Sequence, residues 1–460
     1  MTQPVLQDEI FRAYDIRGLV GEGLNPEVMY WLGKAIGSEA LYKGEKTLLL
    51  ACDARLSSPE FAEQIQAGIL ETGCNVINLG AVPTPLLYFA CHTLEPGSGV
   101  MITGSHNPKE YNGVKVVFKQ QSLSDAQITI FKDRIHSQAF YSGKGKLSEH
   151  DVKAAYIRRV SEDIKLKQPW KLVIDCGNAI CSNVAPQLFQ QLGCEVSGLY
   201  CDIDGSFPNH HPDPSQAENL RDLIKRVVDS DADLGIAFDG DGDRVALITG
   251  KGEIIDADHL LMTFARDILP ENPGAIIVYD VKSSNHLCQI ITELKGKPLM
   301  CRSGHSYVKK ALHQSGALLG GEYSSHLFFK HRWYGFDDGL YAAARFLEIM
   351  DKTRASADKI LDSLPRSSHT PELFVPVAES EKFAMMKTIS SAFSLPNAEI
   401  NTLDGLRVSL ENAWGLIRAS NTTPNLMLRF EAESAEALED IMHKFQQELL
   451  RILPDLKLNF

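Results

Sequence analysis

Several short stretches of this chain carry functional groups spaced closely enough to do chemistry. Asp239-Gly240-Asp241-Gly242-Asp243-Arg244 sets three carboxylates at alternate positions, with glycines that give the backbone room to fold them around a point. Clustered aspartate oxygens suit a hard divalent cation such as Mg2+. An EF-hand loop is excluded: counting from Asp239, its sixth and twelfth positions are Arg244 and Gly250, where Gly and Glu are required. Three carboxylates after the apolar run Leu234 to Phe238 repel one another unless something positive joins them, so a solvated acidic turn is the weaker alternative.

Thr103-Gly104-Ser105-His106-Asn107-Pro108 puts a nucleophile-capable hydroxyl at the end of another apolar run, Gly99 to Ile102. Taken alone, this stretch fits a polar turn equally well, because Ser and Asn cap helices and Pro stops elements. Gly321-Glu322-Tyr323-Ser324-Ser325-His326 offers a carboxylate, a hydroxyl and an imidazole, the groups that pair with sugar hydroxyls. Arg418-Ala419-Ser420-Asn421-Thr422-Thr423-Pro424 combines a guanidinium, hydroxyls, an amide and turn N–H groups, as a phosphate dianion requires, and also fits a decorated hairpin turn. Tyr14-Asp15-Ile16-Arg17-Gly18, Lys115, Lys282 and His305 add isolated charged or titratable groups. Individually such residues are more often ion-paired or structural than catalytic.

The elements that must position these groups repeat three times. Leu48 to Asp53, Leu172 to Asp175 and Ile276 to Asp280 each read as a strand ending in Asp. Each feeds a helical pattern with Ser57, Ser182 or Ser283-Ser284 as cap candidates and a Gly stop, followed by a further apolar strand. This implies three α/β units with parallel central strands, whose carboxyl ends deliver the loops to a common cleft. From about Pro365 the pattern changes to short strands near residues 372–377, 406–410, 414–418 and 425–430, and a final helix from Ala435 to Leu450. That predicts an antiparallel sheet in a fourth, α+β domain.

A net charge of −13 argues against nucleic acid as the main partner, so any anionic ligand must be held by a local cluster. Nine cysteines without a Cys-x-x-Cys pair point to reduced, mostly buried thiols. The first residues lack the charged and apolar regions of a signal peptide, and no apolar run is long enough to span a bilayer; a cytoplasmic protein is expected. A hydroxyl nucleophile, a Mg2+-type loop, a polyol loop and a phosphate loop together point to phosphoryl transfer on a sugar phosphate.

The four loops, in this order and over essentially the whole chain, resemble those of the α-D-phosphohexomutase superfamily, and within it the bacterial phosphomannomutase/phosphoglucomutase branch. The resemblance implies four domains around a central cleft, at residues 1–150, 151–253, 254–365 and 366–460. It implies a phosphate carried on Ser105 and a Mg2+ bridging that phosphate to Asp239, Asp241 and Asp243. Phosphate would pass to a hexose 1-phosphate, giving a hexose 1,6-bisphosphate that turns over and leaves as hexose 6-phosphate. By the same resemblance His106 and Lys115 sit beside the phosphoserine, Lys115 as a candidate for proton transfer, while Arg17 and Arg244 stabilise the moving phosphoryl group. Glu322 and Ser324 grip sugar hydroxyls; Tyr14, Lys282, His305 and His326 line the sugar site; Arg418, Ser420, Asn421 and Thr422 hold the phosphate that is not reacting.

Tyr323 and Ser325 stand where many members have Met and Gly, and Thr423 where many have Glu. Ser420-Asn421-Thr422 fits hexose mutases better than the phosphoglucosamine branch, so mannose and glucose phosphates are the expected substrates of a monomer with no membrane partner. The rivals are a phosphohydrolase of haloacid-dehalogenase type, with Asp239 as nucleophile, and a non-catalytic sugar-phosphate-binding protein.

Overall fold

The apolar runs that end in Asp lack polar alternation, the pattern of strands buried on both faces. In the computed structural model, which describes residues 4–420, 423–458 and 460, they form the parallel centres of three sheets. The first runs in the order Ile16–Leu19, Tyr111–Phe118, Gly99–Ile102, Thr47–Cys52, Asn75–Ala81, Leu147–Glu149. The second runs Ile254–Ile255, Val245–Thr249, Leu234–Phe238, Lys171–Asp175, Glu195–Leu199. The third runs Lys297–Cys301, Ile276–Asp280, Leu319–Gly321, Leu327–Phe329.

Parallel pairing reaches one edge of each sheet and antiparallel pairing the other, so the sheets are mixed. In each unit one parallel strand reverses into an antiparallel partner: Gly99–Ile102 into Tyr111–Phe118, Leu234–Phe238 into Val245–Thr249, and Leu319–Gly321 into Leu327–Phe329. The stretches at 103–110, 239–244 and 322–326 are therefore the same hairpin turn in three copies. That is why three loops of different composition arrive at one place.

The fourth sheet is antiparallel throughout, built around Asn425–Ala432 and Ala413–Ala419 and covered by helices Lys382–Ala392 and Ala435–Ile452. The first of these helices and the short edge strands Ser368–His369 and Glu399–Asn401 carry no strong periodicity and were not anticipated.

The expected serine caps differ in outcome. Ser284 caps Asn285–Glu293 by accepting from the His286 N–H (3.1 Å). Ser57 makes no cap bond, and Ser58 Oγ instead donates to Asp53 Oδ1 (2.5 Å). Ser182 lies inside the 3₁₀ turn Ile180–Asn183, so the following helix starts only at Ala185.

One apolar core runs from Leu49 to Leu364 through the first three units, whereas the C-terminal domain has its own. The two bodies meet through a small cluster of Val281, Trp414, Leu416 and Met427. All nine cysteines are free, seven of them buried. Among the described residues no helix is long and apolar enough to cross a membrane.

Candidate active site

Ser105 sits at the head of the first hairpin turn in a left-handed backbone conformation (φ 51°), with its N–H donated to Thr103 Oγ1 (2.8 Å). Arg55 fixes the turn from beneath. All five guanidinium N–H groups are used, toward Asp53 Oδ2 and the carbonyl oxygens of Ser105, Asn107, Pro108 and Tyr111. A Cβ at position 104 would lie 2.5 Å from that guanidinium, which is why Gly stands there. Gly240 does the same across the domain boundary, since a Cβ there would meet the Ser105 carbonyl at 2.2 Å. The two turns thus pack backbone to backbone, and Ser105 Oγ comes to 3.0 Å from Asp239 Oδ2.

The three aspartates of the second turn are fully buried, and one oxygen from each lies within 4.8 Å of the others. Asp239 Oδ1 accepts from the Gly242 and Arg244 N–H groups (2.9 and 3.2 Å), and Thr84 Oγ1 donates to Asp241 Oδ2 (2.6 Å). Lys115 Nζ lies between Asp241 Oδ2 (2.7 Å) and Asp243 Oδ2 (2.6 Å). Burial and the neighbouring carboxylates push Asp239 well above the ordinary aspartate range. Burial would raise Asp243 too, but Lys115 and His326 outweigh it and hold it low. Lys115 is driven the opposite way to burial, far up, by Asp241 and Asp243. Among the described residues Asp241 Oδ1 and Asp243 Oδ1 have no hydrogen-bond partner. Buried carboxylate oxygens without hydrogen-bond donors suit a hard cation, and Mg2+ fits this set; His326 Nδ1 lies 3.6 Å from Asp243 Oδ1.

The remaining groups surround a cavity of about 430 Å³ above Ser105. Arg17 donates to Asn107 Oδ1 (2.6 Å) and Asp15 Oδ2 (2.5 Å). Ser105 Oγ lies 3.2 Å from His106 Nδ1; burial and then Arg244 and Arg17 lower that imidazole, keeping it neutral. Arg244 Nε donates to His326 Nε2 (2.9 Å), and His326 Nδ1 lies 3.1 Å from Asp337 Oδ2. Glu322 Oε1 accepts from the Gly304 N–H (2.5 Å), its other oxygen is unpaired, and burial raises the group. Tyr14 packs edge-on against His305 (4.9 Å), and Lys282 Nζ pairs with Glu372 Oε1 (2.9 Å). Ser324 lines the wall.

At the far end Arg418 Nε pairs with Asp404 Oδ2 (3.0 Å), leaving Nη2 buried without a partner among the described residues. Ser420 Oγ accepts from Thr423 Oγ1 (2.8 Å). Asn421 and Thr422 lie outside the described residues.

All four hairpin loops therefore open onto one cavity. Models for four successive domains of phosphoglucomutase/phosphomannomutase match the chain: α/β/α domain I at residues 8–142, domain II at 154–252, domain III at 256–367 and the C-terminal domain at 372–448. The chain belongs to the phosphoglucomutase/phosphomannomutase family. It is 47% identical to a phosphomannomutase/phosphoglucomutase of Pseudomonas aeruginosa over 99% of both chains. It is 45% identical to a phosphoglucomutase of Neisseria gonorrhoeae over 95% of this chain and 96% of that one. The crystal structure of a family protein from Burkholderia thailandensis superposes with a TM-score of 0.95 at 43% identity, over 99% of this chain and all of the other.

Sequence reasoning missed the supports of this family site. Arg55, Thr84, Glu372 and Asp404 each reach the site from a different segment, and nothing in their local sequence distinguishes them; Asn107 lies within the serine stretch, but its bond to Arg17 has no local sign. Asp337 had a faint signal as one of two adjacent acids before a helix.

Proposed function

We propose that the chain interconverts hexose 1-phosphates and hexose 6-phosphates, mannose and glucose phosphates being the substrates. The reading rests chiefly on Ser105 Oγ standing 3.0 Å from Asp239 Oδ2 on the floor of a cavity whose opposite end carries Arg418. Ser105 Oγ carries the transferable phosphoryl group. Asp239, Asp241 and Asp243 would hold Mg2+, which when bound neutralises charge on that group. Arg17 and Arg244 extend the same neutralisation from the cavity side.

Glu322, with one oxygen fixed by Gly304 and the other free, accepts from sugar hydroxyls, and Ser324, His305 and Lys282 complete the sugar wall. Arg418 and Ser420, with Asn421 and Thr422, hold the distal phosphate. The sugar's free hydroxyl takes the phosphoryl group as the Ser105 Oγ–P bond breaks, and its proton can pass through neutral His106, whose Nδ1 lies 3.2 Å from Ser105 Oγ, to that oxygen. Lys115, held protonated against burial by Asp241 and Asp243, can act only as a proton donor or as a charge. The resulting hexose 1,6-bisphosphate reverses in the cavity, so that its other phosphate returns to Ser105. One copy of the chain supplies every described wall of the cavity, which supports a monomer.

Asp239 argues against the hydrolase alternative. It is fully buried, Oδ1 accepts from two backbone N–H groups and Oδ2 from Ser105 Oγ, and of the two residues it is Ser105 that lines the cavity. Intact mass and a coupled isomerisation assay test the reading. We expect one phosphate that maps to Ser105, and conversion of mannose or glucose 1-phosphate after priming with hexose 1,6-bisphosphate in Mg2+. Ser105→Ala should lose both. Net release of inorganic phosphate, or failure to isomerise either sugar, would refute the reading.

A further inference from the structure

A second cavity, of about 280 Å³, lies on the seam between the first and third units. The first unit contributes His92 and the turn Lys119–Ser122; the third contributes one face of the helix His305–Ser315 and the segment from Lys330 to Phe336. Its lining contains four lysines, Lys119, Lys309, Lys310 and Lys330, and no carboxylate. That runs against a composition in which Asp and Glu outnumber Lys and Arg by 59 to 46.

Lys309 is shared with Asp337 Oδ1 (2.9 Å). Among the described residues Lys119, Lys310 and Lys330 make no ion pair. All three are exposed to solvent and line one concavity with no carboxylate beside them, so an anion seated there is attracted by each. The cavity also has an aromatic side. The Tyr334 and Phe336 rings lie parallel, 2° apart with centroids at 6.0 Å, and His92 leans on them at 5.3 and 5.7 Å. Tyr334 and His92 are only half-buried, so part of this π surface is open to the cavity. Burial lowers His92 to about 4, so it is a neutral ring at physiological pH.

We propose that this seam is a second ligand site, taking a nucleoside diphosphate whose base lies against Tyr334 and His92 and whose phosphates meet Lys119, Lys310 and Lys330. A diphosphate carries a charge of about −3 at neutral pH, matching the three uncompensated ammonium groups. A bare phosphate would leave the aromatic side unused. A second hexose phosphate would lack the carboxylate acceptors that its hydroxyls find at Glu322 in the main cavity. An occupant joins the first unit to the third and sits beside Lys309, whose partner Asp337 contacts His326 of the sugar loop.

The test is calorimetric titration of the full chain with ADP, GDP and UDP, with pyrophosphate as the ring-free control. Saturable binding of at least one nucleotide is expected, about tenfold or more tighter than pyrophosphate. It should weaken in about 0.5 M salt, and saturating glucose 1-phosphate should leave it unchanged. The double variant Lys310→Gln/Lys330→Gln should bind at least about tenfold more weakly with mutase turnover and thermal midpoint retained, and Lys119→Glu, from the other side of the seam, should reproduce the loss. The proposal is overturned by absence of saturable binding, by equal binding of pyrophosphate, by displacement with glucose 1-phosphate, or by undiminished binding in both variants.

Discussion

Replacing Arg55 by Lys keeps the positive charge beneath the Ser105 turn and removes the fork. Arg55 is 1% exposed, and its five N–H groups reach Asp53 Oδ2 (3.1 Å) and the carbonyls of Ser105 (2.7 Å), Asn107 (2.6 Å), Pro108 (2.6 Å) and Tyr111 (3.0 Å). An ammonium has three donors radiating from one atom, so at least two of these buried acceptors lose their partner. Each costs about 1–3 kcal/mol, or about 2–6 kcal/mol together. For a unit of this size that is a fall in thermal midpoint of about 5–20 °C. The functional loss should be separate and larger, because the freed carbonyls belong to the residues that aim Ser105. A displacement of about 1 Å at a reacting group costs about a hundredfold in rate. KM should change little, since Arg418 and Glu322 are untouched. Scanning fluorimetry of Arg55→Lys, with kcat and KM measured at a temperature where the variant is folded, checks both parts. A variant with the parent's midpoint and kcat would refute the assignment of the turn's geometry to this guanidinium.

Two further outcomes follow from the charged groups. Asp258 is raised to about 7 by burial and by Glu431 and Asp280, against the opposing pull of Arg429. Because the folded state binds this proton more tightly than the unfolded chain, its contribution is present at low pH and is lost as pH rises from about 4 to about 7, by at most about 4 kcal/mol. Asp258→Asn should flatten that part of the pH profile of thermal stability and be the more stable protein at pH about 8; an unchanged slope would contradict the assignment. Lys115→Met removes a positive charge 2.7 and 2.6 Å from Asp241 and Asp243 that opposes a cation at the same carboxylates, so Mn2+ should bind the unphosphorylated protein several-fold more tightly by calorimetry. Equal or weaker binding would mean that ammonium and metal do not compete there.

Much of the fold, and most of the residues brought together in the candidate site, were legible because they are local. Continuous apolar runs ending in Asp marked the central strands, and each loop carries its chemistry within six residues. What was illegible is what the sequence holds at a distance. Arg55 is fifty residues from the Ser105 carbonyl it supports. Lys115 has no local sign that it will lie between two aspartates of another unit. The antiparallel return of each sheet depends on which strand pairs with which, and an apolar run does not record its direction. Tyr323, a departure from the common loop pattern, stacks beneath the Arg429 guanidinium at 3.7 Å, a contact that requires the C-terminal domain to be in place.

The strand-terminal aspartates show how one repeated unit accommodates three chemistries. In the first unit Asp53 accepts from the Gly104 N–H (3.2 Å), and in the third Asp280 accepts from the Tyr323 N–H (3.2 Å), so each anchors the hairpin turn beside it. The second unit breaks the rule. Asp175 accepts from the Gly177 N–H (2.8 Å) and lies 3.1 Å from His210 Nε2, away from the aspartate turn. A fourth carboxylate directed at a turn that already carries Asp239, Asp241 and Asp243 would add to their repulsion in a buried setting. That turn anchors itself instead, with Asp239 Oδ1 accepting from the Gly242 and Arg244 N–H groups. The repeat is thus kept where an anchoring charge helps the loop and dropped where three buried carboxylates are already crowded together.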